Sequence, residues 1–91
     1  MALKVPTIHL NGTSKKDLLD GYKAAYLAVG EALDKLQQTV PHGRDYYVQG
    51  SASSIQEAIA EHVVRWTKLD DVRKELLEIA IAIQDQGKDR S

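Results

Sequence analysis

Pro41 interrupts an otherwise nearly continuous helical pattern, and that break constrains the fold more than any other feature of the chain. Before it, apolar residues recur at Leu18 or Leu19, Tyr22, Ala25 or Tyr26, Val29, Ala32 or Leu33, Leu36 and Val40. Steps of three and four place these on one stripe of a helix. The pattern predicts a helix over about 15–39, ended because a proline pushes the residue before it out of helical geometry. After the break, Ile55, Ala58, Ile59, His62, Trp66, Leu69, Val72, Leu76, Ile79, Ala80 and Ile83 follow a second, slowly drifting stripe. It predicts a helix over about 54–85, with 40–53 as the connecting loop. The expected fold is all-α: a long antiparallel helical hairpin with an extended N-terminal arm, assembling into a helical-bundle oligomer.

Local signals divide the chain into an arm (1–13), a helical domain (14–86) and a polar tail (87–91). Pro6 disfavours helix at Val5, and Asn11-Gly12 signals a turn. Thr13 and Ser14 offer hydroxyls to cap the first helix, and Asp17 complements its dipole. Ser54-Ile55-Gln56-Glu57 fits a capping box at the start of the second helix, with Gly87 as a cap beyond its end. Gly21 and Gly30 each cost roughly 1 kcal/mol against alanine in a helix interior. Close helix packing is the expected reason for them, with a kink as the alternative.

A single pair of helices leaves apolar side chains uncovered. Ile59, Val63 and Val64 lie beyond one seam, as do Leu77 and Ile81. A chain of 91 residues with no cysteine has a thin core and no disulfide to reinforce it, so self-association is the expected remedy.

Twelve basic residues oppose thirteen acidic ones, a net charge of -1. That balance argues against a general nucleic-acid binder. No segment approaches the roughly 20 apolar residues of a membrane span, and the first residues lack a signal-peptide core. His9, His42 and His62 are scattered, without metal-ligand spacing. There is no nucleophile motif, and the serines lie at helix caps. Asp70-Asp71 and Glu75-Glu78 read as a solvated face, and Lys74-Glu78 and Glu31-Lys35 as i,i+4 surface pairs. No cofactor, metal or enzymatic activity is expected.

The loop Pro41-His42-Gly43-Arg44-Asp45-Tyr46-Tyr47-Val48-Gln49-Gly50 is richer than a chain reversal requires. Arg44 can hold a phosphate or carboxylate through two parallel hydrogen bonds. Tyr46 or Tyr47 can stack on a base, Gln49 can read a base edge, and Asp45 can orient Arg44 or accept from a ribose hydroxyl. The structural alternative makes Arg44 and Asp45 a surface ion pair and one tyrosine a lid on the bundle end. In the arm, Ile8 and Leu10 alternate with Thr7, His9 and Asn11, so one edge packs and the other faces out. An antiparallel pair of helices starts this arm far from the loop, so His9 and Asn11 reach the loop site only from a neighbouring subunit or if the first helix folds back. His62 reads as a packed histidine with one hydrogen bond, Trp66 as core, and Arg65 as a partner for an aromatic face.

The segments IHLNGTSKKDLL and PHGRDYYVQG together resemble small helical accessory proteins encoded by tailed phages. The likeness covers roughly residues 7–83. Such proteins often act against host defence, and one class, the nucleotide sponges, sequesters cyclic nucleotide or cyclic ADP-ribose immune signals as compact oligomers. The resemblance therefore implies binding without turnover of a small phosphorylated nucleotide, by a homo-oligomer in the cytoplasm of an infected bacterium. The ligand residues would be Arg44, Tyr46, Tyr47, Gln49 and Asp45, with His9 and Asn11. The alternatives are a helical module that blocks a host protein, and a phage structural or assembly protein.

Overall fold

The computed structural model describes residues 3–49 and 53–86, and the side chain of Gln49 lies outside that description. Among the described residues the chain is all-helical, with no strand. Helix α1 runs Lys15–Gln37 and helix α2 runs Ser54–Asp85, with short 3-10 turns at Gly43–Asp45 and Tyr47–Gln49 between them. The shape is elongated, 65 × 24 × 21 Å.

Each helix boundary has a local cause. Ser14 is extended and its side chain accepts from the Asp17 amide at 3.1 Å, so α1 starts at the capping residue expected. Its end comes two residues before Thr39. The amides of Gln38, Thr39 and Val40 donate three residues back, to Lys35, Leu36 and Gln37. The helix thus tightens into a 3-10 turn before Pro41. The expected capping box at Ser54 does not form: the N-cap is Ser53, in helical geometry and without a side-chain cap bond. The Ser53 hydroxyl donates to Glu57 Oε1 at 3.2 Å, and Ser54 lies inside the helix. The expected cap at Gly87 lies outside the described residues; the C-cap residue is Gln86, in extended geometry.

The helices pack lengthwise, with the start of α1 beside the end of α2. Gln86 fixes that end. Its Nε2 donates to the Pro6 carbonyl at 2.6 Å and its Oε1 accepts from the Ile8 amide at 2.9 Å. Lys15 Nζ donates to the Gln86 carbonyl at 2.8 Å. One side-chain amide thus pairs with the arm much as a neighbouring backbone would. Ile8 is half-buried there, but Leu10 is 98% exposed. The expected packing of both residues on one edge fails because the chain turns, the Gly12 amide donating to the His9 carbonyl at 3.1 Å.

The core is thin. Leu33 and Ile83 are the buried apolar residues among those described, accompanied by His62 and Asp70. Trp66 is only half-buried. A Cβ added at Gly21 or Gly30 would meet nothing within 4 Å, so neither glycine serves close approach of α1 to its own α2.

Candidate functional site

The loop residues lie on an open surface. His42 Nδ1 accepts from the Arg44 amide at 3.2 Å, which helps set the first 3-10 turn. The Asp45 amide donates to the His42 carbonyl and the Tyr46 amide to the Gly43 carbonyl, both at 3.0 Å. These bonds fold the backbone without gathering the side chains into a cup. Arg44 and Asp45 are exposed, and among the described residues they form no ion pair with each other. Tyr46 is half-buried, as a lid on the helix ends would be, while Tyr47 is 76% and Val48 75% exposed. The side chain of Gln49, and Gly50, lie outside the described residues. His9 and Asn11 are exposed at the opposite end of the molecule, beside the end of α2. At about 1.5 Å per residue, α1 alone sets roughly 34 Å between the two groups. One chain therefore does not bring them together.

Grooves along the helices carry more shape than the loop does, and three of them involve both helices or the end of α1. One, of about 410 Å³, lies between Leu19, Lys23, Tyr26 and Leu27 on α1 and Leu77, Ala80, Ile81 and Gln84 on α2. A second, of about 420 Å³, is lined by Gln37, Val40, Ile59, His62, Val63 and Trp66. On helical geometry these two open on the same side of the helix pair, at opposite ends. The third, of about 700 Å³, opens on the other side, between Ala32, Lys35, Leu36 and Thr39 and Arg65, Lys68, Leu69 and Val72. Its lining carries three cations and no carboxylate, a field that favours anions. Arg65 and Lys68 lie one turn apart in sequence, but only the pairing of the helices adds Lys35.

Among the described residues two polar groups are buried, and only Asp70 lies deeper than the sequence suggested. His62 is 4% exposed, yet its Nε2 has no hydrogen-bond partner. It is packed as expected but lacks the expected bond at that atom, because the groove around it is lined largely by apolar side chains. Asp70 is not part of a solvated face. Its side chain is 9% exposed, with Arg73 Nη2 at 2.8 Å and Lys74 Nζ at 3.1 Å. Lys74 thus pairs backwards with Asp70, where the sequence suggested Glu78. The Lys74 hydrogen bond, aided by Arg73 and opposed by desolvation, holds the Asp70 carboxyl below its usual range. Arg73 also lies 5.7 Å from the Tyr26 ring centroid. That cation–π contact falls to Arg73 and not to Arg65, which is exposed.

Among the described residues no group of His, Cys, Asp or Glu is arranged to hold a metal ion, and no helix is long and apolar enough to cross a membrane. No family model, curated protein or solved structure matches the chain.

Proposed function

We propose that this protein acts by binding and not by turnover: a helical hairpin that self-associates and serves as a protein-interaction module. The observation that carries the reading is the apolar surface left open along the helices, where Leu27, Ile59, Val63, Leu77 and Ile81 are all exposed. Contiguous apolar surface of this kind is characteristic of association sites. The exposed Tyr47 and Arg44 of the loop add residue types that anchor protein interfaces. Native mass spectrometry tests the reading. Multimers at low micromolar concentration are expected, with Arg44→Ala and Tyr47→Ala leaving subunit number unchanged while weakening capture of a protein partner. A chain that stays monomeric would remove it.

A second reading, sequestration of a phosphorylated nucleotide such as a cyclic immune signal, draws on the cationic groove of Lys35, Arg65 and Lys68 together with the loop residues Arg44 and Tyr47. Phage origin and action in an infected host's cytoplasm belong to this proposal. Adding cyclic dinucleotides, cyclic trinucleotides and cyclic ADP-ribose isomers to the same spectra tests it. Bound, intact nucleotide at fixed stoichiometry supports it. Arg44→Ala is then expected to weaken binding by about 1.5–3 kcal/mol, the range for a charged hydrogen bond. Loss on Arg65→Ala alone would move the site from the loop to the groove.

A further inference from the structure

Four exposed apolar positions of α2 are spaced symmetrically about Asp70. Ile59 and Ile81 lie eleven residues on either side of Asp70, and Val63 and Leu77 lie seven on either side. At about 100° per residue, both offsets return to within about 20° of the direction of Asp70. The four apolar side chains therefore share one line, and they are between 40% and 55% exposed. Asp70 also falls at the middle of the helix Ser54–Asp85.

We infer that a second copy of this chain packs antiparallel on this face, about a two-fold axis passing Asp70. Ile59 then meets the partner's Ile81, and Val63 meets the partner's Leu77. The inference rests on the self-association part of the proposed function and adds the face, direction and register. A two-fold contact must be self-complementary, each residue meeting its counterpart reciprocally. A palindromic apolar line supplies that, whereas an unrelated partner helix would have no need of it.

The chain as a whole has surface to spare for a partner. The chain exposes 7119 Å², whereas a compact monomer of this mass would expose about 5,300 Å². The excess over the whole elongated chain, roughly 1,800 Å², is larger than the ~800 Å² that each partner gives to a standard interface. Three further features lie on this face. The two grooves lined by the apolar line, one around Leu27 and Leu77 and the other around Val40 and Val63, are exchanged by the axis, so each faces the other kind. The unpartnered Nε2 of His62 is buried in one of them, opposite a groove whose lining includes Asp20, Lys23 and Gln84. Gly30, level with Asp70 on α1, has open space where a Cβ would stand, which leaves room for a neighbouring chain at the centre. Near the axis each carboxylate already carries its own Arg73 and Lys74, so no bare anions are brought together. The same axis places the partner's His9 and the partner's Asn11 at the end of the molecule that carries Arg44 and Tyr47.

Disulfide trapping tests the register directly, because the chain has no cysteine of its own. Val63→Cys with Leu77→Cys should oxidise to a covalent dimer, and Ile59→Cys with Ile81→Cys should do the same at the outer positions. Within one chain each of these pairs is roughly 21 Å or more apart, far beyond the ~4.4–6.8 Å a disulfide spans. Each single variant should stay uncrosslinked, because equal positions lie as far apart across the axis. Crosslinking in both double variants and in neither single set supports the proposal. Single variants that crosslink as readily as the doubles would overturn it. Multimers by sedimentation with no crosslink in either double variant would overturn this register while leaving self-association intact. A monomer by sedimentation would remove both.

Discussion

The Asp70 carboxylate stands between two cations, with Arg73 Nη2 at 2.8 Å and Lys74 Nζ at 3.1 Å. In sequence it is one of an acidic pair on a charged helix; in the folded chain Lys74 and Arg73 close over it. Its carboxyl is held below the ordinary value, so the stabilisation it gives is present above the unfolded-state pKa of about 3.9. It is lost as pH falls through the lowered folded value. Asp70→Asn is expected to be less stable than the native chain at neutral pH, with the difference closing below about pH 4; urea titrations across that range measure it. The two helix glycines should separate by location. Gly21 is exposed with open space at its Cβ, so Gly21→Ala should stabilise by about 0.5–1 kcal/mol in chemical denaturation. Gly30→Ala should gain the same helix propensity but weaken association, read as a lower dimer fraction by sedimentation at matched concentration. Glycine was legible as a helix interruption; what its missing side chain leaves open was not, because that depends on which neighbours arrive.

At the scale of elements, most of the legible structure came from short-range rules. Ser14 caps α1 because its hydroxyl reaches the Asp17 amide, an interaction contained in four residues. Helix α2 starts at Ser54 as the pattern predicts, but without the capping box: Ser53 is the N-cap and its hydroxyl bonds the Glu57 side chain, not a helix amide. The arm's attachment was not legible. Gln86 lies 78 residues from Ile8 and 80 from Pro6, and no periodicity links them. Gln86→Ala removes both side-chain bonds while leaving α2 otherwise unchanged. The Ile8 amide should then lose hydrogen-exchange protection by about five- to thirtyfold, the equivalent of roughly 1–2 kcal/mol. Unchanged protection at Ile8 would show that the arm is held by its apolar contacts alone.

At the scale of the whole molecule, the radius of gyration of 19.5 Å compares with about 12 Å for a compact domain of this length. Two helices of this length cannot wrap a common core, so folding and assembly should be linked. The thermal midpoint should rise with protein concentration, as it does where only the associated form is fully covered. Leu77→Asp should remove that dependence and cost about 2 kcal/mol of dimer stability or more, roughly thirtyfold in affinity. A midpoint independent of concentration in the native chain would mean that the open apolar face is tolerated as it stands. The loop at 42–48 was legible as an unusual cluster of functional groups, and its residue types needed no structure to be noticed. That Arg44 and Tyr47 stand on an open surface, with the cationic groove elsewhere, depends on two 3-10 turns and on the pairing of α1 with α2.

The sequence by itself determined the two helices, their break at Pro41 and the surplus of apolar side chains on α2, because helical propensity, capping and periodicity act over four residues or fewer. The tertiary structure decided the unpartnered Nε2 of His62, the burial of Asp70, the joining of Lys35 to Arg65 and Lys68, and the latch of the arm by Gln86. Each of those depends on contacts between positions far apart in the chain, whose partners are set only when the helices settle into one alignment.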